Sequence, residues 1–161
     1  MKKKLKKLDL VINPNPILRN ISVNVNMENL DKAFAKLIES MIFTMIEDNG
    51  IGLAAPQIGK NIRLIVINHK SNPFALINPV ITKKSKRLEI GEEGCLSVPN
   101  IYGNVQRYYS IECEYCDLSK NKQIMKANGL LARVIQHEID HLDGILFIDK
   151  AVNIIKKNES N

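Results

Sequence analysis

The side chains best suited to chemistry cluster at His137-Glu138-Ile139-Asp140-His141. Residues four apart share one face of a helix, so both imidazoles can reach a single cation at about 2.0–2.1 Å. Glu138 lies one step round, beside the coordination position left open, where it can take a proton from water. With three histidines in 161 residues, a chance pairing at this spacing is the weaker explanation, and the segment reads as the core of a metal-dependent hydrolase. Two imidazoles do not complete a site, because catalytic centres usually hold three protein ligands. The position six residues after His141, where one peptidase class has another His, is Phe147. Glu159 has too little chain around it to build a following helix, whereas His69 after a strand stays a candidate. So does Cys95, in the Gly-flanked segment Glu92-Glu93-Gly94-Cys95-Leu96-Ser97. A lone Cys is more often a small buried hydrophobe, so spacing alone leaves the third ligand open.

The elements that must position these groups follow from periodicity. Leu30, Phe34, Leu37, Ile38, Met41 and Met45 recur at three- and four-residue steps, predicting a helix from about Glu28, with Asn26 as N-cap and Gly50 as stop. Leu130, Val134, His137 and His141 share a second helical face, with Asn128 as cap and Gly144 as stop. Gly50-Ile51-Gly52-Leu53-Ala54-Ala55-Pro56-Gln57-Ile58-Gly59 suits neither a helix nor a long strand, and its small residues let its backbone approach something closely. Leu8 to Ile12 could open a strand, and Asn13-Pro14-Asn15-Pro16 is a turn. Further β-type runs are Ile62 to Ile67, Phe74 to Ile81, Tyr108 to Asp117 and, after a turn at Ser119 to Lys122, Gln123 to Lys126. Strand runs flanked by two helices without regular alternation predict an α+β fold. The length predicts one catalytic domain over 1–161, with a basic N-terminus at 1–7 and a short C-terminal tail at 150–161.

Composition excludes other classes. Five of the charges behind the net +6 sit in Lys2, Lys3, Lys4, Lys6 and Lys7, leaving the rest of the chain near neutral. With 5% aromatics and no Trp, the basic start lacks a stacking platform for nucleic acid. No apolar run approaches the roughly 20 residues of a membrane span. The Lys-rich start runs into Leu8-Asp9-Leu10 and then Asn and Pro rather than an apolar stretch with a cleavage site, so a cytoplasmic location is expected. Three cysteines without an export signal predict reduced thiols. Cys113-Glu114-Tyr115-Cys116 falls in a predicted strand, where positions three apart face opposite ways, against a redox or zinc role.

Three segments, GIGLAAPQIG (50–59), EEGCLS (92–97) and QHEIDHLDG (136–144), resemble in order the signature motifs of peptide deformylases, and Pro14-Asn15-Pro16-Ile17-Leu18-Arg19 resembles that family's N-terminal region. The resemblance spans about residues 10 to 150. It implies antiparallel β-sheets packed around a central helix that carries the H-E-x-x-H motif, plus an N-terminal helix. It matches Cys95, His137 and His141 to metal ligands and Glu138 to the general base and acid. It matches Gln57 and the backbone N–H of Leu96 to the donors that hold the formyl oxygen. The implied reaction removes the N-formyl group from the initiator methionine of new polypeptides and releases formate. The implied cofactor is one divalent ion, Fe²⁺ natively, with Zn²⁺, Ni²⁺ or Co²⁺ able to occupy the same site.

The expected substrate contacts extend this picture. Val134 and Leu130, one and two turns before His137, read equally as core or as an apolar wall for the methionine side chain. Ile51 and Gly52 would let an extended peptide pair with the backbone. Glu93 is a further expected substrate contact, or could instead pair with Arg107 behind Cys95, and Tyr102 stands where many family members carry a polar residue facing the substrate. The partners implied are N-formylmethionyl nascent peptides met in a bacterial-type cytoplasm, with transient ribosome contact through the Lys-rich start, no DNA, no membrane and a monomeric state. The rival readings are an H-E-x-x-H peptidase, disfavoured by Phe147 and the Cys95 segment, and a non-catalytic binding protein, which would need a defect among Gln57, Cys95, Glu138 and the histidines.

Overall fold

The computed structural model describes residues 5–157. Two helices, α1 (Lys32–Glu47) and α2 (Gly129–Leu142), accompany eight strands: β1 (Gly52–Ala54), β2 (Leu64–His69), β3 (Asn72–Lys84), β4 (Leu88–Cys95), β5 (Val98–Tyr108), β6 (Ser110–Cys116), β7 (Lys122–Asn128) and β8 (Val152–Lys156). They form an antiparallel five-stranded sheet in the order β1-β2-β3-β6-β7 and an antiparallel three-stranded sheet in the order β4-β5-β8. The fold is α+β, as expected.

Strand β2 shows how the core is divided. Side chains alternate across a strand, and here both faces are apolar. Leu64 and Val66 pack with Ile38, Met41 and Met45 of α1, while Ile65 and Ile67 pack with Ile135, Ile139 and Leu142 of α2. The five-stranded sheet therefore has a helix on each face. A third cluster, Leu18, Val98, Val105, Leu146 and Phe147, lies against the smaller sheet. Helix α2 sits between the two sheets, and every residue from Ala132 to Leu142 is buried. Such a helix must find a partner for each polar side chain it carries.

Several boundaries differ from the sequence reading. Asn26 caps a single 3₁₀ turn, Met27–Asn29, and the cap of α1 is Asp31, whose carboxylate accepts from the Phe34 N–H at 2.8 Å. Leu8 to Ile12 is no strand. Its backbone bonds to two different segments, Val11 N–H to Gln57 O and Asn13 N–H to Ser97 O, both at 2.8 Å, so no ladder forms. Part of the expected C-terminal tail is β8, which pairs with β5. Cys113 and Cys116 fall in separate core clusters, as their strand spacing predicts. Of the basic start, residues 1–4 lie outside the described residues, and Lys7 pairs with Asp48. Among the described residues no helix is long and apolar enough to cross a membrane.

Candidate metal centre

Cys95 is the last residue of β4, before the two-residue turn Leu96-Ser97 into β5. A register shift between Gly94 and Cys95 re-aims its side chain, a common use of bulges beside functional sites. His137 and His141 project from α2 toward the same place. One donor atom from each of Cys95, His137 and His141 lies within 4.8 Å of the other two, and Cys95 Sγ is 3.3 Å from His141 Nε2. His69 and Phe147, the positions weighed for a third His, have other places. His69 ends β2 outside this cluster, and the Phe147 ring stacks on His137 with centroids 6.1 Å apart.

The surroundings of His137 favour a positive charge there, which an ion would supply in place of the proton. Burial alone would push His137 down, yet its hydrogen bonds to Cys95 and Glu93 raise it to about 10. His141 is held well below the ordinary imidazole value, first by burial and then by the positive charge at His137. A thiolate and two imidazoles form a donor set for Zn²⁺, Fe²⁺ and similar ions. His137 Nδ1 is fixed by Glu93 Oε2 at 2.8 Å, the usual arrangement that leaves Nε2 for an ion. The residues present thus fit a divalent metal.

Glu138 lies beside the cluster in a cavity of about 560 Å³. Its Oε2 is buried and makes no hydrogen bond among the described residues, and burial raises its carboxyl to about 7. A Cβ on Gly52 would lie 2.4 Å from Glu138 Oε1, so β1 passes the carboxylate at a distance only glycine allows. Gln57 lies almost fully buried in the 3₁₀ turn Ala55–Ile58. Its carbonyl accepts from Ala54 N–H at 2.8 Å and its amide donates to Ser97 Oγ at 3.2 Å and toward Cys95 Sγ at 3.5 Å. The amide is thereby aimed at the ligand cluster.

The cavity brings together Gln57, Cys95, Leu96, His137 and Glu138, with Ile51, Gly52, Leu130 and Val134 along its walls. Leu130 and Ile51 are exposed there while Val134 is buried, so the first two read as wall and the last as wall and core together. Glu93 also borders the cavity, but its carboxylate is engaged behind the histidine. It pairs with Arg107 through two bonds of 2.9 Å, as the sequence suggested, though buried rather than on the surface. Burial pushes Glu93 up, but bonds from Arg107 and His137 more than offset it and hold the group well below the ordinary carboxylate range. Tyr102 lines the cavity, with the Lys157 ammonium 4.2 Å from its ring centroid.

Sequence reasoning passed over Arg133 and Lys150, which join this network. Arg133 donates to Glu93, and Asp140 accepts from Arg107 and from Lys150. The available signal was position: Arg133 stands four residues before His137, on its face.

The model of the polypeptide deformylase family matches residues 7–157. Peptide deformylase 2 of Gloeobacter violaceus is 44% identical over 161 aligned residues, covering 96% of this chain and 85% of that protein. A peptide deformylase of Synechococcus elongatus, solved with actinonin, superposes with a TM-score of 0.87 at 42% identity over 94% of this chain and 85% of its own. A class I type b peptide deformylase of Acinetobacter baumannii, solved with Met-Ala-Ser, does so at 0.88 and 33% identity, covering 91% and 99%. A family match from residue 7 to residue 157 takes in both helices and all eight strands, and the chain belongs to the polypeptide deformylase family.

Proposed function

We propose that the cleft between α2 and the Gly50–Gln57 segment carries out this enzyme's reaction, removal of the N-formyl group from newly made polypeptides, and that Cys95, His137 and His141 hold its divalent ion. What supports the site assignment is the convergence of three donor atoms within 4.8 Å beside a buried carboxylate. The ion would polarise the formyl oxygen and lower the pKa of the attacking water. Glu138 takes the proton that water releases on adding to the formyl carbon, and returns it to the nitrogen as the C–N bond breaks. The products are formate and a free amine. The Gln57 amide and the Leu96 N–H donate to the formyl oxygen as charge gathers on it; losing one such donor typically costs about 2.7–4 kcal/mol in the transition state.

Substrate enters as an extended chain. Gly52 and Ile51 offer backbone to pair with the peptide, and Leu130 and Val134 offer the methionine side chain an apolar wall. A deformylase of Acinetobacter baumannii has been solved with Met-Ala-Ser bound, a peptide of this kind. We assign Fe²⁺ as the native ion, the metal characteristic of the family, with Zn²⁺, Ni²⁺ or Co²⁺ as substitutes. We place the enzyme in the cytoplasm as a single-domain monomer acting on nascent chains, with the Lys-rich start as its contact to the ribosome. The deciding measurement is formate release from formyl-Met-Ala-Ser by anaerobically purified, Fe²⁺-loaded protein beside Cys95→Ser. Release that the variant loses supports reaction and ligand together; equal release from both removes Cys95 from the site.

A further inference from the structure

The Glu93 carboxylate is filled to capacity. Oε1 accepts from Arg107 Nε and Arg133 Nη1, and Oε2 from Arg107 Nη2 and His137 Nδ1, with distances of 2.8–2.9 Å. A carboxylate offers about four lone-pair sites, and all four are used. Two of these partners, Arg133 and His137, come from one face of α2, four residues apart, and each takes a different oxygen. The remaining donors of Arg133 close on backbone: Val105 O at 2.8 Å, Glu89 O at 2.8 Å and Gly91 O at 3.4 Å. One guanidinium therefore joins α2, β4, β5 and the carboxylate that orients a histidine.

Resting on the metal-centre reading above, we propose that Arg133 is a positioning residue for His137: its guanidinium, seated on β4 and β5 backbone, holds Glu93 Oε1 against α2, and Glu93 fixes the imidazole. Arg107 grips Glu93 from one side only. Without Arg133, Oε1 keeps a single donor and Glu93 loses its tie to the helix face that carries His137, so the Glu93–Arg107 pair can shift as a unit and carry His137 Nδ1 with it. The task needs the fork rather than the charge. Nη1 meets Glu93 Oε1, Val105 O and Gly91 O, while Nη2 reaches Glu89 O, and a lysine, with all its donors on one nitrogen, has no second arm for Glu89. Gly91 confirms how closely the guanidinium is seated, because a Cβ there would lie 3.0 Å from its carbon and from Nη2.

The test uses Co²⁺-loaded full-length protein and reads metal rather than turnover alone. Arg133→Met keeps the aliphatic stem at the cavity wall and removes the fork. Groups behind a ligand typically alter metal affinity by about 10–100-fold, so Co²⁺ should pass to a chelator at least about tenfold faster. The visible bands of the cobalt should shift, and kcat should fall with KM for formyl-Met-Ala-Ser little changed. Arg133→Lys should recover little of this. Arg63→Met is the control: that arginine also ties the end of α2, through Leu142 O at 3.4 Å and the cap residue Asp143 at 2.7 Å, without touching Glu93. It should lower Tm and leave cobalt release and spectrum unchanged. Should Arg133→Met not fold, Gly91→Ala displaces the fork in place and should shift release and spectrum in the same direction, less far. Wild-type release and spectrum in the variants that fold, or full rescue by Arg133→Lys, would overturn the proposal. A wild-type cobalt spectrum without a thiolate band that Cys95→Ser abolishes would instead overturn the metal-centre reading, and this proposal with it.

Discussion

At the scale of single residues, Glu138 and Gly52 are coupled by their close approach. The carboxylate must stay close to the ligands and yet keep one oxygen clear, and β1 gives it room by having no side chain where it passes. Glu138→Ala should retain metal and lose about 10²–10⁴-fold in kcat, the usual worth of a positioned acid–base group. Near-normal formate release would remove Glu138 from the mechanism. Gly52→Ala should lower kcat without removing any catalytic group, since a Cβ 2.4 Å from Oε1 forces the carboxylate aside. Unchanged kcat there would mean the carboxylate's position is not critical. Cys113 is the contrasting case, a buried thiol with a purely structural place. Burial raises it from 9.0 to about 11, so the folded state keeps a proton that the unfolded chain releases first. Its contribution is full below about 9 and is lost as pH rises toward about 11. Cys113→Val should therefore lose less stability than wild type across that window in urea titrations. Parallel losses would show that Cys113 does not titrate as its burial requires.

Among the elements, α1 depends on a cap that periodicity did not reveal. Asp31→Ala should cost about 0.5–2 kcal/mol, read as a lower Tm, because the Phe34 N–H loses its acceptor. An unchanged Tm would show that the first turn needs no side-chain cap. The apolar stripe of α1 was legible from Phe34 to Met45, but its start was not, since Leu30 continues the stripe from outside the helix. Helix α2 and its two histidines were legible because the 3.6-residue period and the ligand spacing coincide. Strands β4 and β5 were not. Leu88-Glu89-Ile90-Gly91-Glu92-Glu93-Gly94-Cys95 has too many glycines and acids to alternate, and it is a strand because β5 and Arg133 hold it. β8 is exposed throughout and exists only through its pairing with β5. The three residues that could hold an ion were readable from sequence, with Cys95 supplied by resemblance. Of the network behind them only the Glu93–Arg107 pair was, because Arg133, Asp140 and Lys150 join it from stretches that only the fold brings together.

For the whole molecule, the candidate centre spans two sheets that also meet through α2 and through the Gln57–Ser97 contact. Cys95 belongs to the three-stranded sheet, whereas His137 and His141 ride on the helix packed against the five-stranded sheet. An ion on all three residues cross-links sheet and helix in the native state alone, so binding adds directly to folding stability. A site filled at about 100 times its Kd stabilises by about 2.7 kcal/mol, and for a chain of this size each kcal/mol moves Tm by about 2–4 °C. Stripping the metal with a chelator should therefore lower Tm by about 5–10 °C, and re-adding Zn²⁺ should restore it. In Cys95→Ser the same treatment should move Tm much less, because the only ligand from the smaller sheet is weakened while the two histidines, already on one helix, cross-link nothing. Differential scanning calorimetry with and without chelator on the two proteins separates the cases. Equal shifts would place the ion on α2 alone, and no shift in either would mean that metal does not brace the fold.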